Sequence, residues 1–269
     1  MKKIILLLTI VFATNMTHAE ELLRLGIVPQ QSAASLAKVW VPLAKFLSEK
    51  TGKEIRFETA PNIPEFEQRV SNGAYDITYL NPYHYTVFSK TLGLRAIARQ
   101  ASKSIVGIIV VARDSEISSL EMLNNAEIAF PSPKSFAATM LPQANLTLKH
   151  IPFTSRYVSS HDSVYENVAK GFFVAGGGID RTLSNLPIDL FNKLKVIWRS
   201  SPYTPHAFAV GPSVSQEDAT SIQNALISLN ELDEGKKILN DLGFNGGIKI
   251  SVDSDWDDVR QLNIKESNP

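Results

Sequence analysis

Strand-like and helix-like stretches alternate along this chain, and they predict an α/β sandwich with a largely parallel sheet. Three observations carry that expectation: short β-rich runs, apolar residues at helical spacing between them, and Gly or Pro at the changeovers. At 269 residues, 44% hydrophobic and 20% charged, the chain can bury a substantial core as one large domain or as two lobes.

Leu22 to Val28 (LLRLGIV) is β-rich and alternating, so it reads as the first strand. Ala33 to Lys50 places Leu36, Val39, Trp40, Leu43, Phe46 and Leu47 at helical spacing, and Thr51-Gly52 stops that helix. Ile55 to Glu58 is the next strand. Ile63 to Asn72 reads as a helix because Pro64 suits a first turn and Gly73 a C-terminal stop. Tyr75 to Leu80, Ala96 to Arg99 and Ile105 to Val111 follow as strands. The pattern then runs on without a linker. A short helix at Leu120 to Leu123 leads to a strand at Glu127 to Phe130 and a helix at Ala137 to Leu148. A short strand at Arg156 to Val158 and a helix at Ser163 to Lys170 come next. Phe172 to Ile179 (FFVAGGGI) reads as a strand running into glycines, which either admit close backbone approach or turn the chain. Strands at Lys195 to Arg199 and Ala207 to Val210, then helices at Gln216 to Asn230 and Asp233 to Leu242, close the fold. There is no internal repeat and no low-complexity tract.

Residues 1–19 have the layout of a secretory signal peptide: two lysines, an apolar run from Ile4 to Ala13, and a small-residue pattern ending at Ala19. Cleavage there gives a mature chain from Glu20 in the periplasm. The apolar run is shorter than the ~20 residues a membrane span needs. With no cysteine, disulfides and lipid attachment through a cysteine at the cleavage site are excluded, so a free periplasmic protein is expected. The 27 basic and 27 acidic residues balance, leaving no whole-molecule field to draw nucleic acid or anionic lipid. Any anion must be held locally.

Two segments offer local chemistry. Ala129 to Leu141 (AFPSPKSFAATML) is a polar, proline-bearing loop running into a helix, whose free N–H groups and positive dipole end suit an anion. The segment TYLNPYHY puts Tyr79, Asn81, Tyr83, His84 and Tyr85 directly after a strand end. Tyrosine joins an apolar face to a polar tip, which suits a small organic ligand. Pro82 and Tyr83 could equally turn the chain and pack beneath such a site, with His84 and Tyr85 on a following helix.

The ordered set LGIVP, FETAPN, GAYDITYLNPYHY, IIVVARDSEISSLEML, IAFPSPKSFAATMLP, SSHDSVYENVAKG and VIWRSSPYTP resembles the substrate-binding proteins of phosphate and phosphonate ABC transporters, over roughly residues 22 to 245. The resemblance implies a type II periplasmic binding protein: two α/β lobes, 21–106 plus 206–269 and 107–205, joined by two crossovers around a ligand cleft. Ligand-driven closure of such lobes is a hinge motion.

It also implies where ligand contacts fall. In phosphonate-binding relatives the loop before the helix is a run of hydroxyls; here the matching residues are Ser135, Phe136 and Ala137, and only Ser135 has an oxygen. Relatives carry aromatic hydroxyls where this chain has Ile63 and Ile105, and a carboxylate nearest to His206. His161 matches the family's phosphonate-contacting histidine, although a histidine after Ser159-Ser160 could also serve the start of a helix. Paired with an anion, its pKa would rise. Each hydrogen bond to a charged group is worth about 1.5–3 kcal/mol, so the lost hydroxyls predict weakened phosphonate binding and a flatter or more apolar ligand.

Catalysis is not expected. There is no cysteine nucleophile, no zinc-ligand spacing, no G-x-S-x-G elbow around Ser135, His161 and Asp162, and no G-x-G-x-x-G loop at Gly176 to Gly178. No cofactor or metal is implied. The expected partner is an ABC permease receiving a small solute from a monomeric carrier. The alternatives are presentation of ligand to a membrane sensor kinase and a partner-binding module with a vestigial cleft.

Overall fold

A computed structural model describes residues 22–101, 104–244, 246–262 and 264. The expected signal peptide and the new N-terminus at Glu20 lie outside the described residues. The strands are β1 (Leu22–Ile27), β2 (Glu54–Thr59), β3 (Ile77–Leu80), β4 (Arg95–Gln100), β5 (Gly107–Ala112), β6 (Ala126–Phe130), β7 (Phe153–Tyr157), β8 (Ala175–Ile179), β9 (Leu194–Arg199), β10 (Ala207–Val210) and β11 (Ile248–Ile250). The helices are α1 (Ala33–Thr51), α2 (Ile63–Ser71), α3 (Pro82–Leu92), α4 (Leu141–Leu148), α5 (His161–Ala169), α6 (Asp180–Ser184), α7 (Ile188–Phe191), α8 (Gln216–Ser228), α9 (Asp233–Asp241) and α10 (Asp257–Arg260). None of the described helices is long and apolar enough to cross a membrane.

Local sequence accounts for several helix ends. Ser32 caps α1 by accepting from the Ser35 N–H, and Gly52 closes it in the left-handed conformation at φ 69°. Asn62 caps α2 and Asn81 caps α3 in the same way. Ser160, and not His161, caps α5; His161 is the first residue of that helix. The expected helix at Ala137 to Leu148 begins instead with a π turn at Phe136–Met140 that continues into α4.

The strands form two sheets, ordered β11-β4-β10-β3-β1-β2 and β7-β6-β8-β5-β9. A largely parallel sheet is not what forms. The β1–β2, β1–β3, β6–β7 and β6–β8 pairs are parallel, but β10 runs antiparallel to β3 and β4, β11 to β4, and β5 to β8 and β9. The reversals fall around the two passages between sheets, β4 to β5 and β9 to β10. A chain that leaves a sheet and comes back by this route enters against its neighbours, without the crossover helix that parallel pairing needs. The passages are themselves paired, with backbone bonds between Ile105 and Tyr203 of 2.8 and 3.0 Å.

β5 is apolar throughout, and its pleat divides it between two cores. Ile108 and Val110 face α5, while Ile109 and Val111 face Leu123, Ile128 and Leu146. Beside it, Gly176 to Gly178 lie inside β8 and do not turn the chain. A Cβ on Gly177 would sit 1.9 Å from the Ala138 carbonyl oxygen, and one on Gly107 would sit 2.1 Å from that of Ala137. Glycine therefore lets the π turn lie flat on the second sheet, which fixes where that helix starts.

Candidate functional site

The space between the sheets has an aromatic floor. Tyr79, at the end of β3, is buried against Trp40 (ring centroids 4.6 Å), Phe208 (4.9 Å) and His206, on which it stacks at 5.0 Å and 18°. Above this floor lies a cavity of about 280 Å³. Tyr79, Gln100 and His206 line it from the first sheet, Ile105 from a passage, and Ile179 and Arg181 from the second sheet. Asp180 also borders it, but pairs with Arg199 at 3.2 Å.

Arg181, at the start of α6, reaches back across the cleft. Its guanidinium donates to the Gln30 Oε1, and the Gln30 Nε2 lies 3.0 Å from the His206 Nε2. Arginine has no acceptor, so the Gln30 amide oxygen must face it and the amide N–H₂ must face His206. His206 Nε2 is then the acceptor of that bond, which requires a neutral ring with its proton on Nδ1. The electrostatics agree. Burial and then the Arg181 charge push the His206 pKa well below its ordinary value. Burial raises the Tyr79 hydroxyl, with Arg181 opposing.

The second flank of the cleft surrounds the loop before the π turn. Ser135 and His161 are both buried, with the Ser135 Oγ 3.4 Å from the His161 Nε2. His161 Nδ1 lies 3.0 Å from the Thr182 Oγ1, which the Tyr165 hydroxyl also meets at 2.8 Å. Burial first and Arg181 second pull His161 down to about 3, so without an anion it is neutral. Phe136 is fully buried, edge-on to Tyr203 at 5.5 Å. The hydroxyls of Ser132 and Thr139, on either side of Ser135, are buried and have no hydrogen-bond partner among the described residues. They are oxygens on this segment that lie outside the Ser135, Phe136, Ala137 triplet.

Contacts between the two sheet units close this flank. His161 N–H donates to the Gln30 carbonyl at 2.9 Å, Ser32 N–H to the Asp162 carboxylate at 3.2 Å, and Asn81 Nδ2 to the Lys134 carbonyl at 3.2 Å. Glu67 accepts from His84 at 3.0 Å and lies 3.7 Å from the Lys134 Nζ. Burial raises the Asp162 pKa, partly offset by the Ser32 amide.

The expected residues thus divide. Tyr79, Ile105 and His206 line the cavity, and Ser135, Phe136 and His161 form the sealed flank. Asn81 caps α3 at the rim, and Ile63 is buried in the core at the start of α2. Tyr83 borders a different and larger groove, about 1050 Å³, which α3, β4 and the residues Val252, Asp253, Val259, Arg260 and Ile264 build on the first sheet unit alone. Sequence reasoning missed Arg181 and Gln30, which no motif marks and only the fold brings together. Among the described residues, no group of three or more His, Cys, Asp or Glu side chains is placed to hold a metal ion.

A sequence profile of the family described as "ABC transporter, phosphonate, periplasmic substrate-binding protein" matches residues 25–256. Among solved structures, a binding protein component of an ABC phosphonate transporter from Pseudomonas aeruginosa aligns with TM-score 0.84 at 19% identity, covering 91% of this chain and 86% of that one. PhnD1 from Prochlorococcus marinus, in complex with methylphosphonate, aligns with TM-score 0.82 at 18% identity, covering 90% and 98%. A Xanthomonas citri protein bound to chloride ion aligns with TM-score 0.70 at 15% identity, covering 90% and 95%. At these identities the likeness of structure is a likeness of fold: two mixed α/β sheet units of the type II periplasmic binding protein class.

Proposed function

The chain belongs to the family of periplasmic substrate-binding proteins of phosphonate ABC transporters, and from that premise we propose that it captures a small solute between two lobes and delivers it to an ABC permease. The lobes are 21–106 plus 206–269 and 107–205, hinged at the paired passages around Ile105 and Tyr203. The observation that carries this reading is the cavity walled by both sheet units and a passage, with Tyr79, Ile105 and His206 on its surface. Delivery is preferred to presentation to a membrane sensor because the matching family is that of a transporter component. The pocket is a diverged one by this reading: Phe136 stands where phosphonate-binding relatives carry a hydroxyl, and Ile63 and Ile105 bring no oxygen. Export through residues 1–19 puts the carrier in the periplasm as a free monomer.

The test is a thermal-shift screen of the chain from Glu20 onward against methylphosphonate, phosphate, phosphite and a library of small carboxylates, amines and aromatic metabolites. A ligand at 100 times its Kd stabilises the fold by about 2.7 kcal/mol. A hit weakened by Tyr79→Ala, with compaction on binding in small-angle scattering, supports capture. Uniformly unshifted melting across the library would sink it.

A further inference from the structure

We propose that Arg181 is the specificity-determining residue of the cleft and that its ligand is a compact organic monocarboxylate, whose carboxylate takes the place of the Gln30 amide oxygen on the guanidinium. This deepens the solute-capture reading and rests on it.

Arg181 is the one Lys or Arg among the described residues lining the cavity. Among the described residues no carboxylate pairs with it: the neighbouring Asp180 is turned to Arg199, and the guanidinium meets only the neutral amide of Gln30. A buried-edge guanidinium facing an uncharged acceptor is an ion pair with one member missing, and planar carboxylates match its fork of donors bidentately. The remaining polar groups fix the charge of the ligand. His206 accepts from Gln30 and so carries no charge, and buried His161 is likewise neutral. One fixed cation therefore faces the cavity, which matches one negative charge and leaves a second without a counterion. Shape points the same way. The second flank is sealed: Phe136 is fully buried against Tyr203, and neither it nor Ser132, Ser135, Thr139 or His161 lines the cavity. The cavity beside Arg181 instead offers Ile105, Val106 and Ile179 as apolar wall, within about 280 Å³. That volume is at the small end for ligand sites, so the body attached to the carboxylate is compact.

Gln30 is the counterpart of this ligand. It holds the guanidinium in place when no anion is present and also donates to His206, so an entering carboxylate exchanges one acceptor on Arg181 for a charged one without moving the arginine. Gln30→Glu would supply that carboxylate from within the chain.

The experiment is isothermal titration of the chain from Glu20 onward with acetate, butyrate and benzoate, each beside its neutral primary amide, and with methylphosphonate. Binding is compared among the unsubstituted protein, Arg181→Gln and Gln30→Glu, with unliganded melting and circular dichroism confirming that each variant is folded. The expected result is that a monocarboxylate binds, its amide does not, and both variants weaken it by roughly 100-fold. Carboxylate binding unchanged in Arg181→Gln would overturn the proposal. So would methylphosphonate binding that is insensitive to Arg181, an outcome that leaves solute capture standing. Binding of no carboxylate by the unsubstituted protein would also overturn the proposal, while solute capture falls only if the whole thermal-shift library leaves melting unshifted.

Discussion

The two flanks of one cleft are built to opposite specifications. Around His161 every step is closed: Phe136 and His161 have no exposed surface, and His161 N–H, Ser32 N–H and Asn81 bond straight across to the other sheet unit. Around Arg181 the same sheets stand apart, leaving a cavity with a cation on its wall. The flank that most resembles a phosphonate seat in sequence is thus the closed one, and the flank lined by Tyr79, Ile105 and His206 holds the space and the charge.

The most forceful way to break this contrast is to reopen the packed flank. Phe136→Thr removes a fully buried ring and should cost about 3 kcal/mol in urea unfolding. If the flank is a filled seat, the same variant should gain methylphosphonate affinity by roughly tenfold through the added hydroxyl; a variant that is destabilised with no such gain would mean that this flank is core and nothing more.

Acid titration probes both flanks at once. His161 and His206 are neutral in the folded chain, with pKa values held below the unfolded value of about 6.5. Below that value the unfolded chain takes up protons that the folded chain refuses, so stability is full above it and falls as pH drops toward about 3 for His161. Each histidine contributes at most about 1.4 kcal/mol per pH unit. Urea midpoints between pH 7 and 5 should therefore decline, and His161→Gln should remove part of the slope. A flat profile would contradict neutral histidines in the cleft.

The smallest effect is expected at the rim. Asn81→Ala loses the α3 cap and the bond to Lys134, for about 1 kcal/mol. Small-angle scattering of the unliganded variant should show a more open average shape than the parent; an identical curve would mean that the remaining bonds across the cleft suffice.

Much of the scaffold was legible because its signals are local. Ser32 and Gly52 bracket α1, and Asn62 and Pro64 open α2, within a few residues of the features they control. α3 was legible only as a following helix carrying His84 and Tyr85, without bounds, because Tyr, His, Val and Thr are mediocre helix formers, although Asn81, Pro82 and Gly93 mark both of its ends. Strand direction was misread for a different reason. The pairing of Val210 with Ile77 joins parts of the chain that no window can see together, and β10 slots between β3 and β4 against their direction. The site divides along the same line. Tyr79, Ile105, His161 and His206 were nameable from sequence, but Arg181 gains its meaning only from Gln30, which sits on the opposite sheet unit.

The three glycines of β8 make one demand that selection would register directly. Side chains at 176, 177 and 178 would run into Val164, the Ala138 carbonyl and the Tyr165 ring in turn, so both faces of the strand are closed to any Cβ. In a saturation library these consecutive codons would tolerate a single amino acid each, while exposed Phe172 and Val174 just upstream would drift freely. A variant catalogue of this protein would show its sharpest intolerance at positions that do not line the cavity.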